Sequence, residues 1–236
     1  MKAEFHVHTS ASADSFLSMG LLFLMCKIKK IKCIAITDHN EISNALKFKE
    51  KYEKKGINVI VGEEIFTKDG EIIGLFLKEK IKPNQSLEET ITEIKKQGGF
   101  VYVPHPYDEK RVKTVLPKDV INKNKKNIDF IECHNGRNEK EKYSYMQNEI
   151  AEELNITKII GSDAHTFYEI GRNYCELNEV SKNKLLNEVS KAEFSKKKCI
   201  KFAHKNTKIV RLLKIIAGGK WNELSRIINK KLKRNK

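Results

Sequence analysis

Six short β-branched runs recur along the chain: KCIAIT (32–37), INVIVG (57–62), EIIGLFL (71–77), GFVYVP (99–104), IDFIEC (128–133) and TKIIGS (157–162). Between several of them lie stretches with helical periodicity, at roughly 16–30, 41–55, 86–97, 141–154 and 181–191. Strands separated by helix-length crossovers form parallel units, because the crossover carries the chain back to the end of the sheet where the previous strand began. The alternation therefore predicts an α/β layer or barrel. No Pro/Gly/Ser-rich linker interrupts residues 1–200, which read as one domain. Residues 201–236 form a basic extension, and 205–236 read as one or two helices broken near Gly218-Gly219.

The polar residues fall in a pattern that such a barrel gives meaning to. Asp38-His39 follow IAIT, Glu63-Glu64 follow VIVG, His105 follows VYVP, His134 follows FIEC, and Asp163-x-His165 follow IIGS. In α/β barrels the loops after the strands converge on one face, so residues scattered in sequence would meet there. Six of the seven histidines, His6, His8, His39, His105, His134 and His165, occupy strand-end positions, and only His204 does not. His6 and His8 are two apart, so on a strand they share a face and can grip one ion. Each signal has a plainer explanation alone. An isolated HxH suits a half-exposed edge strand, Asp38 or Asn40 suits a helix N-cap near Glu41, and Asp163 suits another cap.

Composition narrows the context. A chain of 236 residues can bury a substantial core. No apolar run approaches the length of a bilayer span and no signal peptide is evident, which predicts a cytoplasmic protein without a transmembrane segment. Five widely spaced cysteines without a CxxC pair fit reduced, mostly buried thiols. The net charge is +15, but residues 201–236 hold twelve Lys/Arg against the single Glu223, so the basicity belongs largely to the extension. Lysine outnumbers arginine forty to six, a bias that AT-rich coding alone produces.

Five or six imidazoles with three or four carboxylates exceed what one tetrahedral zinc site needs. They suit two or three divalent ions held by mixed nitrogen and oxygen ligands. Such a cluster polarises a phosphoryl oxygen and lowers the pKa of a bridging water, which favours phosphate-ester hydrolysis.

The segments EFHVHTSASADS, AITDHNE, GEEI, PHP, ECHNGR and GSDAH resemble, in order and spacing, the motifs of the PHP (polymerase and histidinol phosphatase) superfamily over about residues 3–175. The resemblance implies a distorted (β/α)7 TIM-like barrel with two or three Zn, Mn or Fe ions at the C-terminal face of the strands. It implies metal ligands at His6, His8, His39, Glu64 (Glu63 being the weaker match), His105, Asp163 and His165. Asp14 falls at a position where the family has His or Asp. His134 is expected to complete a third metal site or to touch substrate. Asp38 and His165 are the expected catalytic pair, and Glu4, where the family usually has Asp, is expected to support the histidines from behind.

Arg137 and Arg172 follow the His134 and His165 motifs, and a guanidinium fork suits phosphate. The expected function is a metal-dependent phosphoesterase acting on a phosphorylated small molecule or nucleotide through a metal-bridging hydroxide. Within the superfamily the chain most resembles the branch that removes phosphate from nucleoside bisphosphates or trims oligonucleotides. The alternatives are a histidinol-phosphate phosphatase and a polymerase-associated module that binds nucleic acid through the basic extension. For the extension itself, packing on the barrel is expected ahead of nucleic-acid or membrane binding.

Overall fold

The structure, a computed structural model, describes residues 1–109, 111, 113–219, 221, 222, 224, 225 and 227. The expectation for the extension beyond Gly219 lies mostly outside the described residues. Among the described residues nine strands form one sheet: β1 (Lys2–Val7), β2 (Ile31–Ile36), β3 (Asn58–Phe66), β4 (Glu71–Leu75), β5 (Phe100–Val103), β6 (Phe130–Asn135), β7 (Thr157–Gly161), β8 (Tyr174–Glu176) and β9 (Glu193–Ser195). Their spatial order is β7-β6-β5-β4-β3-β2-β1-β8-β9. The end of β1 also meets the chain leaving β7. Val7 bridges Ala164 in parallel, and the His8 amide donates to the Ala164 carbonyl at 2.8 Å. The sheet thereby curls into a nearly closed barrel.

Seven α-helices are described: α1 (Met19–Lys29), α2 (Ser43–Tyr52), α3 (Leu87–Lys96), α4 (Lys118–Asn124), α5 (Glu141–Glu153), α6 (Leu185–Ser190) and α7 (Ala203–Ala217). Alternate residues of the strands face two separate cores. Ile34, Ile36, Val59, Val61 and Val103 pack against Leu22, Phe48, Ile94 and Ile150 of the helices. Phe5, Cys33, Ala35, Ile60, Ile73, Tyr102 and Phe130 fill the inside of the curled sheet. The short, polar α4 buries only Ile121 and Asn124, which explains why periodicity did not announce it. Four of the five cysteines are buried free thiols, and Cys199 is half-buried. No helix among the described residues is long and apolar enough to cross a membrane.

One departure from a purely parallel barrel shapes the site. β4 runs antiparallel to both β3 and β5. Only Thr67–Gly70 separate β3 from β4, too few residues for a crossover, so the chain must turn back on itself. The pairing of Phe66 with Glu71 carries β3 well beyond the apolar run and brings the first residue of β4 to the end of the barrel where parallel strands finish.

Candidate metal centre and cleft

His6 of β1 and His8, the residue just past its end, are fully buried, their Nε2 atoms 3.1 Å apart. Each ring is held from behind. His6 Nδ1 lies 3.0 Å from Oε1 of Glu132, and His8 Nδ1 lies 3.2 Å from the Ser12 hydroxyl. A carboxylate behind one imidazole nitrogen fixes the tautomer that leaves the other nitrogen's lone pair facing inward. Tyr102 donates to the same oxygen of Glu132, and the Asn135 amide donates to Oε2 at 2.8 Å.

Around this pair the strand ends bring up the rest. Glu64 spans two imidazoles, with Oε2 3.0 Å from Nδ1 of His39 and Oε1 3.0 Å from Nε2 of His105. Its neighbour Glu63 projects to the other side of β3, where Oε2 accepts from the Ile81 amide and burial raises its pKa to about 7. Asp163 Oδ1 is 3.4 Å from Nε2 of His8, and Asp14 Oδ2 is 3.3 Å from Nε2 of His165. His105, set between Pro104 and Pro106, and Asp163 both take left-handed backbone conformations, with φ of 29° and 51°. Strained positions of this kind persist where the surroundings over-determine them, and they cluster at functional sites.

Four sets of three donors each lie close enough to share an ion: His8/His39/His165, His6/Glu64/His105, His6/His8/Asp163 and His39/Glu64/Glu71. These residues fit divalent ions on a further observation. Asp14 Oδ1, Glu64 Oε2 and Asp163 Oδ1 are buried without a hydrogen-bond donor. A buried oxygen of this kind is costly unless a cation meets it. The protonation pattern agrees. Burial opposes charge on His6, yet Asp163, Glu64 and Glu132 push its pKa up to about 10. His39 is likewise held well above its usual value against burial, by Glu64 and Asp14. Burial, with His165 and His39 alongside, keeps His8 well below its usual value. Despite burial, His39 and His6 hold Glu64, and Arg111 and His6 hold Asp163, well below the usual carboxylate range.

Several expected residues lie elsewhere. His134 is not brought to the cluster. Its ring bonds Ser144 at 2.9 Å and Asn173 at 3.2 Å and lines a separate cavity with Lys140, Lys198 and Cys199. β6 bulges between Glu132 and His134, and a bulge re-aims the side chain that follows it. Asp38 does not reach the cleft. Both its oxygens are occupied by the amides and hydroxyls of Thr9 and Ser12, so it shapes the loop that carries Asp14. Glu4 stands behind Ser162 and the Gly171 amide instead of a histidine, and burial raises its pKa to about 7. Arg172 is turned away, donating to the Lys198 carbonyl at 3.0 Å.

Further residues stand at the site without directly following a β-branched run in the sequence. Glu71 approaches His39 and His105 at 3.8 and 3.7 Å, Glu132 braces His6, and Arg111 bonds Asp163 and Asp108. A cleft of about 200 Å³ opens beside the cluster, lined by Asp14, His39, Arg111, Arg137 and His165. Helix α7 supplies its far wall through His204, Thr207 and Lys208. Lys214 ties that helix down by donating to the Ser10 and Ser12 carbonyls at 2.8 and 2.7 Å. Arg137 lines the cleft with its guanidinium paired to Glu169 at 2.9 and 3.1 Å.

The PHP domain family matches residues 4–226, and the chain belongs to that family. An uncharacterized protein of Methanocaldococcus jannaschii is 35% identical over 183 residues, which cover 77% of this chain and 72% of that protein. Solved structures that share the fold include these two. One is a two-domain protein from Bacteroides vulgatus containing a predicted PHP-like metal-dependent phosphoesterase. It has a TM-score of 0.63 at 18% identity and covers 89% of this chain, which spans 63% of that protein's length. The other is PsfC from Pseudomonas syringae, with a TM-score of 0.60 at 15% identity, covering 90% of this chain and 97% of its own.

Proposed function

We propose that the protein is a metal-dependent phosphoesterase acting on nucleotides or short oligonucleotides. The observation that carries the metal-dependent reading is the set of unpartnered buried oxygens Asp14 Oδ1, Glu64 Oε2 and Asp163 Oδ1, each facing imidazole nitrogens. His6, His8, Asp14, His39, Glu64, His105, Asp163 and His165 would hold two or three ions, with Glu71 an added oxygen donor. Bound divalent ions polarise a phosphoryl oxygen and acidify water at neutral pH. Arg111 and Arg137 present guanidinium groups to the cleft, where they would orient the non-bridging phosphate oxygens. His165 lies on the cleft wall with Nδ1 donating to the Asp163 carbonyl at 2.8 Å, so its Nε2, turned toward Asp14, would serve as an ion ligand and leave proton transfer to water. Asp38 has a positioning role, since its bonds to residues 9 and 12 fix the loop bearing Asp14. The phosphoesterase named in the Bacteroides vulgatus neighbour supports the same reaction class.

Metal analysis of the purified chain, followed by assay with p-nitrophenyl phosphate and nucleotides in Mn²⁺ or Zn²⁺, tests the reading. Two or three ions per chain with metal-dependent hydrolysis is the expected result. Fewer than one ion, and no turnover after reconstitution, would refute it.

A further inference from the structure

A second, apolar groove of about 340 Å³ runs beside the cleft. That volume lies within the roughly 300–1,000 Å³ range of small-molecule sites. Phe16 and Phe167 form its rim, each about half exposed, at 52% and 48%. Ile209 and Val210 of α7 line it as well. His165 lines both cavities, so the groove and the cleft meet at that residue. Helix α7 serves both in the same way, offering Thr207 and Lys208 to the cleft and Ile209 and Val210 to the groove.

The rim is held in place. Lys214 Nζ sits 5.4 Å from the centre of the Phe16 ring. Phe167 packs edge-on against Tyr168 at 5.5 Å, and Asn206 of α7 donates to the Tyr168 hydroxyl. Half-exposed phenyl rings among the residues lining an apolar groove offer flat faces on which a planar group can stack.

We infer that this groove receives the planar base of the substrate while its phosphate lies at the cluster. The inference rests on the phosphoesterase reading and assigns the leaving group's place. Continuity through His165 carries it, because a ligand anchored in the cleft by phosphate has its other end at the mouth of the groove. Aromatic rings stack on any base, so the site selects nucleotides over simple sugar phosphates without fixing which base. The basic extension then acts through α7 as a wall of the substrate site.

Phe167→Leu and Phe16→Leu keep apolar bulk at exposed positions and remove the ring. The measurement is the ratio of kcat/KM for adenosine 5′-monophosphate to that for ribose 5-phosphate, with calorimetric binding of adenosine and ribose alongside. Each variant is expected to lower the turnover ratio and the adenosine affinity about tenfold, the scale of one lost stacking partner. An unchanged ratio with unchanged adenosine binding overturns the inference. So does a change confined to oligomeric state, which would give the groove to a second copy of the chain. If the metal-loaded wild type hydrolyses neither ester, the phosphoesterase reading fails, and adenosine binding alone decides the groove.

Discussion

A Cβ placed on Gly161 would lie 1.9 Å from Oε1 of Glu132. It would also crowd the Cβ of His6 at 2.8 Å and the Tyr102 hydroxyl at 2.9 Å. The last residue of β7 is therefore glycine because the carboxylate that orients His6 passes directly over it. Gly161→Ala must displace Glu132 or spread the barrel. Overpacking of this kind costs typically about 1–3 kcal/mol, and here it also releases a ligand-orienting bond. The expected outcome is a lower thermal midpoint together with weaker metal binding, read by calorimetry and by metal titration. Full metal affinity in Gly161→Ala would show that Glu132 does not need its present position.

Glu132 can be tested without crowding. Glu132→Gln preserves shape and removes the charge behind His6 Nδ1. Loss of a carboxylate behind a ligating histidine typically weakens metal binding about 10–100-fold. That drop should appear in metal titration while the far-ultraviolet circular dichroism stays that of wild type.

Glu64 and Glu63 are adjacent but face opposite sides of β3, which makes them a matched pair. Glu64→Gln should remove at least one ion per chain and depress hydrolysis by about a hundredfold or more, the scale of a lost electrostatic contact to the transition state. Glu63→Gln keeps an acceptor for the Ile81 amide and should leave the metal content alone. Equal metal loss in both variants would disprove the side-specific assignment of Glu64.

Much of this arrangement was legible in the sequence, and the exceptions have physical causes. Reading the C-terminal ends of β-branched runs selected His39, Glu64, His105, Asp163 and His165, which the curled sheet brings around His6 and His8. The same rule passed over Glu71, because β4 is antiparallel and presents its first residue, not its last, at the shared end. Glu132 was hidden inside the apolar run FIEC, where a carboxylate looks like an interruption of a strand and not a brace. His134 was selected because no sequence signal marks the bulge that turns it away. Arg111 lies in a loop without periodicity, so only the fold could place it beside Asp163.

Protonation of the metal-free cluster leads to a pH prediction with a definite sign. The folded pKa of His6 is raised from 6.5 to about 10, after its three carboxylate neighbours outweigh burial. A raised pKa contributes stability that is fully present below about 6.5, the unfolded value, and is lost as pH climbs through about 10. Metal-free protein should therefore lose thermal stability across that window. A divalent ion must displace the same proton, so apparent metal affinity should rise with pH over the same range. Calorimetry in two buffers of different ionisation enthalpy would detect the released protons; uptake with no proton release would contradict the assignment of His6 as a ligand.

Arg111 and Arg172 separate the two ways a guanidinium could serve this site. Arg111 lines the cleft, where its ion pairs with Asp163 and Asp108 fix its position. Arg172 spends its guanidinium on the Lys198 carbonyl at the surface. Hydrogen bonds to charged groups are worth about 1.5–3 kcal/mol, which corresponds to roughly ten- to hundredfold in binding. Arg111→Met should raise KM for phosphate esters on that scale, while Arg172→Met should leave KM within about twofold of wild type. If the two effects are reversed in steady-state assays of the metal-loaded protein, the phosphate approaches from the Arg172 side and the cleft beside Asp14 and His165 is not its route.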